Sequence, residues 1–272
     1  MRHLLLGSVA LLGLAAVSAQ AADLPRRAAP PAPVYIAPIF TWTGFYVGLN
    51  AGYGFSGDRG VGISGSPLIT NGQLAATVPF SLSPKRDGFI GGAQVGYNVQ
   101  SGSLVYGVEV DFQGADIKGS ANACAVGLGC GAVITNATNK LEWFGTLRGR
   151  LGVAFDRALI YATGGLALGG VRNSAHLNEF AGAGRQFDVR NNNTRAGWTL
   201  GAGVEYAISG NWSAKLEYLY YDLGRTSGVG IQTNPVNPAE FMTARFRNNG
   251  HIVRAGINYR FGGPAGPVVA SY

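Results

Sequence analysis

Three observations predict an all-β fold, an eight-stranded antiparallel transmembrane β-barrel of the outer-membrane type. Segments with one apolar and one polar face recur along the chain, and the connections between them are short and long in strict turn. No apolar run after the N-terminal leader reaches the roughly 18 to 20 residues that a membrane helix needs. The last segment, HIVRAGINYRF, is the plainest case. Val253, Ala255, Ile257, Tyr259 and Phe261 share one face, and Arg254, Gly256, Asn258 and Arg260 the other. Lipid outside and a wet, charged interior select for this pattern.

The other seven segments follow in order. TWTGFYVGLNAGYGF sets Phe45, Val47, Leu49, Ala51, Tyr53 and Phe55 against Tyr46, Asn50 and glycines, and 87–99 sets Phe89, Ala93, Val95, Tyr97 and Val99 against Gln94, Gly96 and Asn98. Segment 104–113 opposes Leu104, Tyr106, Val108, Val110 and Phe112 to Glu109, Asp111 and Gln113. Segment 140–155 opposes Leu141, Trp143, Leu147, Leu151, Val153 and Phe155 to Glu142, Arg148 and Arg150. In 158–171 the run YATGGLALGG holds too many glycines for its faces to be assigned. Segment 195–208 turns Trp198, Leu200, Val204, Tyr206 and Ile208 away from Arg195, Thr199 and Glu205. Segment 212–223 does the same for Trp212, Leu216, Tyr218 and Tyr220 against Lys215 and Glu217.

Connections at 100–103, 156–157 and 209–211 are tight; those near 56–86, 114–139, 172–194 and 224–247 are long. Short periplasmic turns alternating with four long external loops put both termini in the periplasm and the protein in the cell outer membrane.

The ends agree. MRHLLLGSVALLGLAAVSAQA has a basic start, a short apolar core and Ala19-Gln20-Ala21, so residues 1–21 are a signal peptide. Residues 22–40 carry five prolines and read as an extended periplasmic linker; residues 41–262 form the barrel and 263–272 a C-terminal tail. Charged residues are 13% and hydrophobic residues 47% of the 272, with 43 Gly, which suits a tightly packed barrel. The net charge of +7 comes with no Lys/Arg cluster on an exported chain, which argues against a nucleic-acid partner.

Ten charges are expected to face the lumen: Glu109, Asp111, Glu142, Glu205 and Glu217 against Arg148, Arg150, Lys215, Arg254 and Arg260. Burying unpaired charge is costly, so so close a match suggests a network of ion pairs. An eight-stranded barrel is only wide enough to be filled by side chains. A structural plug is favoured over a small-solute channel lined by the same residues, which stays open as an alternative. The long connections carry surplus cations, Arg59, Lys85 and Arg86 against Asp58 in the first and Arg225, Arg245 and Arg247 against Glu240 in the last. Outer-membrane lipid and lipopolysaccharide phosphates are the expected partners for them.

Cys124 and Cys130, in CAVGLGC, read as a loop disulfide in an oxidising compartment, and with no His or acid beside them they do not form a metal site. Beyond the signal peptide only His176 and His251 remain, and no Ser motif stands near either, so no catalytic set is expected.

At WTGFYVGLNAGYGF, WFGTLRGRLGVAF, YATGGLALGG, GWTLGAGVEYAISGNWSAKLEYLYYDLG and HIVRAGINYRF, in that order, the chain resembles the small porin-like outer-membrane β-barrel proteins of alpha-proteobacteria, with immunogenic and haemin-binding members. The ADLP after the leader resembles them too. The resemblance implies roles in envelope integrity and surface exposure, sometimes porin-like permeability, and no shared catalytic set; no cofactor is expected. It also raises haemin binding, with His176 as the candidate ligand. Barrel-assembly machinery reads a terminal aromatic, for which Phe261 and Tyr272 are the candidates. The Pro-rich arm reads first as a disordered spacer, with peptidoglycan contact through it as the alternative. Oligomeric state is not legible.

Overall fold

The computed structural model describes residues 40–56, 61–70, 81–125, 129–180 and 184–261. Residues 1–39, which hold the expected signal peptide and most of the expected linker, and residues 262–272, with Tyr272, lie outside the described residues. β1 (Gly44–Ser56) is followed by β2 (Val61–Gly65), one helical turn α1 (Pro67–Thr70) and β3 (Ser81–Leu82). The remaining strands are β4 (Arg86–Ser101), β5 (Leu104–Ala125), β6 (Gly129–Phe155), β7 (Ala158–Glu179), β8 (Gln186–Ser209), β9 (Trp212–Asn234) and β10 (Val236–Phe261). Eight of these form a ring in the order β1-β4-β5-β6-β7-β8-β9-β10, every pair antiparallel. β1 and β10 close it, from Phe45 opposite Phe261 to Phe55 opposite His251.

The three tight turns fall at Gly102-Ser103, Asp156-Arg157 and Gly210-Asn211. Each needs one residue at positive φ, supplied by Gly102 (61°), Asp156 (52°) and Gly210 (54°). Glycine takes that conformation without strain, and Asp tolerates it better than most residues.

At the opposite end three of the four long connections are not irregular loops. β5 and β6, β7 and β8, and β9 and β10 continue as paired strands well past the segments expected from sequence. The fourth connection supplies β2, which pairs with β10 at Met242–Arg245, beyond the point where β1 has ended.

Side chains explain this extension. Between the turns and an upper aromatic row, the outward face is apolar: Leu104, Tyr106, Val108, Val110 and Phe112 all point out of β5. Nine tilted residues match the hydrocarbon thickness. Aromatic pairs border the belt, Trp212–Tyr259 and Phe45–Phe261 below, Phe112–Trp143, Trp198–Tyr220 and Phe55–His251 above. Beyond the upper row the polarity inverts. Lys118, Ser120 and Asn122 on β5 and Asp188 and Arg190 on β8 now face outward, while Val61, Ile63, Val133, Leu177, Phe187, Val189, Met242 and Phe246 pack inside. That is the pattern of a water-soluble sheet structure, and each buried side chain there contributes about 1.5–3 kcal/mol. The strands continue because the long hairpins have a core of their own.

Bulges sit at the height of the inversion, between Gly114 and Ile117, Leu141 and Trp143, and Arg247 and Asn249. They correct the expected faces of β6. Leu141 and Phe144 both point inward, buried to 3% and 0%, because the extra residue shifts the alternation. Glu142 therefore does not belong to the lumen; it pairs with Arg172 at 3.2 Å on the outer surface. Pairing of β8 with β9 is also interrupted, from Phe187–Gln232 to Trp198–Asp222.

Candidate functional site

The lumen is built in layers that can be followed along any strand. Nearest the turns, Trp42 packs with Val105, Leu159, Tyr161 and Ala207. The four residues before β1 fold into this mouth: Trp42 N–H donates to Gln100 Oε1 at 2.7 Å, and the Phe40 ring meets Trp42 edge-on at 5.1 Å. Arg260 stacks on Phe40 at 4.4 Å and donates to the Thr41 carbonyl. It thus clasps the mouth instead of joining the ion pairs, and no carboxylate among the described residues forms a salt bridge with it.

Above this plug lies the charged layer, now four against four. Arg148 donates to Asp111 Oδ2 at 2.9 Å, to Glu217 Oε1 at 3.0 Å and to Glu109 Oε1. Arg254 reaches Glu217 Oε2 at 2.5 Å and Asp111 Oδ2 at 3.1 Å, and Lys215 Nζ lies 3.1 Å from Glu109 Oε2. Arg150 pairs with Glu205 and lies face-on over Tyr161 at 3.6 Å. Neutral groups complete the set. Tyr46 donates to Glu109 at 2.7 Å, Tyr161 to Glu217 at 3.1 Å, and Ser213 and Asn258 to Glu205 at 2.5 and 2.7 Å. The side chains of Arg148, Lys215 and Arg254 are 0% exposed. Seven strands, β1, β5, β6, β7, β8, β9 and β10, are tied through this one layer.

Two tyrosines lie flat across the layer because the wall facing them has no side chain. A Cβ on Gly203 would stand 2.6 Å from the Tyr161 ring, closer than packed atoms allow. Gly203→Val is expected to displace Tyr161 and cost about 1–3 kcal/mol by overpacking. Gly102→Ala, where no heavy atom lies within 4 Å, tests only the turn and is the comparison. Urea unfolding in detergent reads both.

Next comes an apolar layer of Ile90, Ile117, Leu141, Phe144, Val171, Leu219, Leu223 and Ile252. A polar relay follows: Arg86 to Asn139 at 2.9 Å, Asn139 to Asn248 at 3.0 Å, Asn248 to Thr226 at 2.8 Å. Arg86 also donates to Ser56 Oγ and the Asn249 carbonyl. It was expected on a loop, but β4 starts with it and turns it inward. The apolar core of the long hairpins closes the stack.

The family model for the outer membrane protein beta-barrel domain matches residues 8–261. The chain belongs to that family. The 31 kDa outer-membrane immunogenic protein of Brucella melitensis is 42% identical over 265 residues, 96% of this chain and 100% of the relative. The 22 kDa outer membrane protein of Rhizobium leguminosarum is 33% identical over 189 residues, 69% of this chain and 67% of the relative. The crystal structure of OprG from Pseudomonas aeruginosa superposes with a TM-score of 0.48 at 11% identity, over 80% of this chain and 96% of that one. The protein is an outer-membrane β-barrel of the alpha-proteobacterial kind.

The remaining candidates in this family member fall outside the lumen. His251 stacks on Phe55 at 5.4 Å in the upper aromatic row, and Tyr218 Oη lies 2.6 Å from its Nδ1. His176 faces outward on β7, its Nδ1 engaged by Asp188. Among the described residues no group of three or more His, Cys, Asp or Glu could hold a metal ion. Cys124 is disulfide-bonded; the side chain of Cys130, the chain's other cysteine, lies outside the described residues. Phe261 ends β10, meeting Tyr259 edge-on at 5.2 Å.

Proposed function

We propose that the protein is a non-conducting structural barrel that supports the envelope and presents surface contacts on its long hairpins, with the turns and both termini on the periplasmic side. The layered filling of the lumen carries this reading. Ions or solutes would have to pass the Trp42 plug, a charged layer whose arginines are wholly buried, and two apolar layers. At the mouth, beside Trp42, Tyr46, Glu205 and Arg260, the cavity is about 10 Å³, barely the space of one water. Catalysis forms no part of the reading.

Planar-bilayer recording tests it. The purified protein is expected to give no stepwise current; steady, reproducible openings would overturn the closed barrel in favour of a porin-like channel.

A further inference from the structure

The surface of β9 and β10 just above the upper aromatic row gathers arginines with few matching acids. Arg225 on β9 stands directly opposite Arg247 on β10, and Arg245 lies on the same face opposite Ser227. Behind this face Arg195, in the inward register of β8, donates to the buried Thr226 Oγ1 at 3.0 Å and to the Arg225 carbonyl at 2.7 Å. It bridges the stretch where β8 and β9 are not paired. Asp222, 3.4 Å from Arg247, is the one carboxylate paired into this group. Arg225 and Arg245 are exposed and pair with no carboxylate among the described residues.

Like charges directly opposite on adjacent strands repel, so this arrangement asks for an anion from outside. The opposite wall shows the contrast. Lys118, Lys140 and Arg172 also stand side by side on β5, β6 and β7, but Asp116 lies 3.6 and 3.2 Å from the two lysines and Glu142 3.2 Å from Arg172. One cationic row is internally neutralised and the other is not.

Position identifies the anion. Trp198, Tyr220 and His251, ring to ring at 5.3 Å, mark the upper edge of the apolar belt immediately below the arginines. Arg247 lies four residues along β10 from His251, roughly 13 Å of strand, less in height because strands tilt. A group held there has its charge at headgroup level and its acyl chains against the belt. Arginine is the side chain best suited to grip phosphate oxygens two at a time. We infer that the face formed by Arg225, Arg245 and Arg247 binds the phosphates of an acylated, phosphorylated glycolipid of the outer leaflet, lipopolysaccharide in its lipid A part. Placing that leaflet on this side rests on the orientation given under the proposed function, but binding in detergent does not depend on whether the barrel conducts.

The experiment titrates the purified full-length protein in detergent with lipid A bearing both phosphates, with dephosphorylated lipid A and with inorganic phosphate, reading bound lipid by native mass spectrometry. R225Q/R245Q removes two cations that hold no intramolecular ion pair, so heat-modifiable migration should be unchanged. It is expected to weaken binding of the phosphorylated lipid roughly tenfold, about 1.4 kcal/mol. K118Q/K140Q should stay within about twofold, as internally paired surface cations contribute little. Equal binding by R225Q/R245Q and the wild type overturns the inference. So does an equal loss in K118Q/K140Q, equal binding of the dephosphorylated lipid, or displacement by inorganic phosphate at matching concentration.

Discussion

Arg148→Met is expected to lower the stability of the folded barrel by about 3–5 kcal/mol, because it strands buried carboxylates instead of removing a pair. Arg148 serves Glu109, Asp111 and Glu217 together. Without it those three acids share only Arg254 and Lys215, at zero side-chain exposure for both cations. Midpoints of urea unfolding in detergent or lipid measure the loss. The double substitution R148M/D111N is expected to recover part of it, since three cations then face three acids and the uncompensated charge is gone. Glu142→Gln should cost no more than about 1 kcal/mol, its pair with Arg172 being exposed. A change of less than about 1 kcal/mol for Arg148→Met would mean that the network does not hold the barrel. The variant should still be silent in planar bilayers, as the Trp42 plug and the layer around Phe144 remain.

Phe246→Asp is the second large effect, and it is expected to be local. Phe246 is 1% exposed among Val61, Leu177, Phe187 and Met242. A carboxylate there loses the burial of a large aromatic and gains no partner, a cost of several kcal/mol. The damage should fall on the long hairpins, whose core this is, and spare the belt, whose inward face is tied by the charged layer. Limited trypsin digestion in liposomes should show much faster cleavage at Arg190, Arg225 and Arg245 while heat-modifiable migration persists. Phe246→Leu should leave digestion near the wild-type rate. Unchanged digestion of the Asp variant, or failure of the whole barrel with the hairpins, would contradict a two-part molecule.

How much of this was legible depended on where the alternation held. From Leu104 to Phe112 and from Val253 to Phe261 the two-residue period alone gives faces, strand limits near the turns and inward charges correctly. It fails at Leu141-Glu142-Trp143-Phe144, where a bulge turns Leu141 and Phe144 the same way and Glu142 outward. Beyond the upper aromatic row the period persists with its polarity reversed, so a search for greasy outward faces stops there and reads the hairpins as loops. Arg86 was missed for that reason. The apolar lumen layers were hidden by the charges between them: Ile90, Leu219 and Ile252 sit in the inward register of their strands, but a reading tuned to a wet interior passes over them. Trp42 gave no strand signal and stands next to a Pro-rich stretch, so its use as a plug follows only from tertiary packing.

The same plug has a mechanical consequence. β1 is joined to the preceding chain through Phe40 and Trp42, which are held inside the mouth by Arg260, Gln100 and the Trp42 packing. A pull on the chain before Phe40 is therefore taken up first along the barrel axis, by a buried ring and a guanidinium. The ladder between β1 and β10 is shielded from that load, so the seam that closes the barrel is not the first thing to peel.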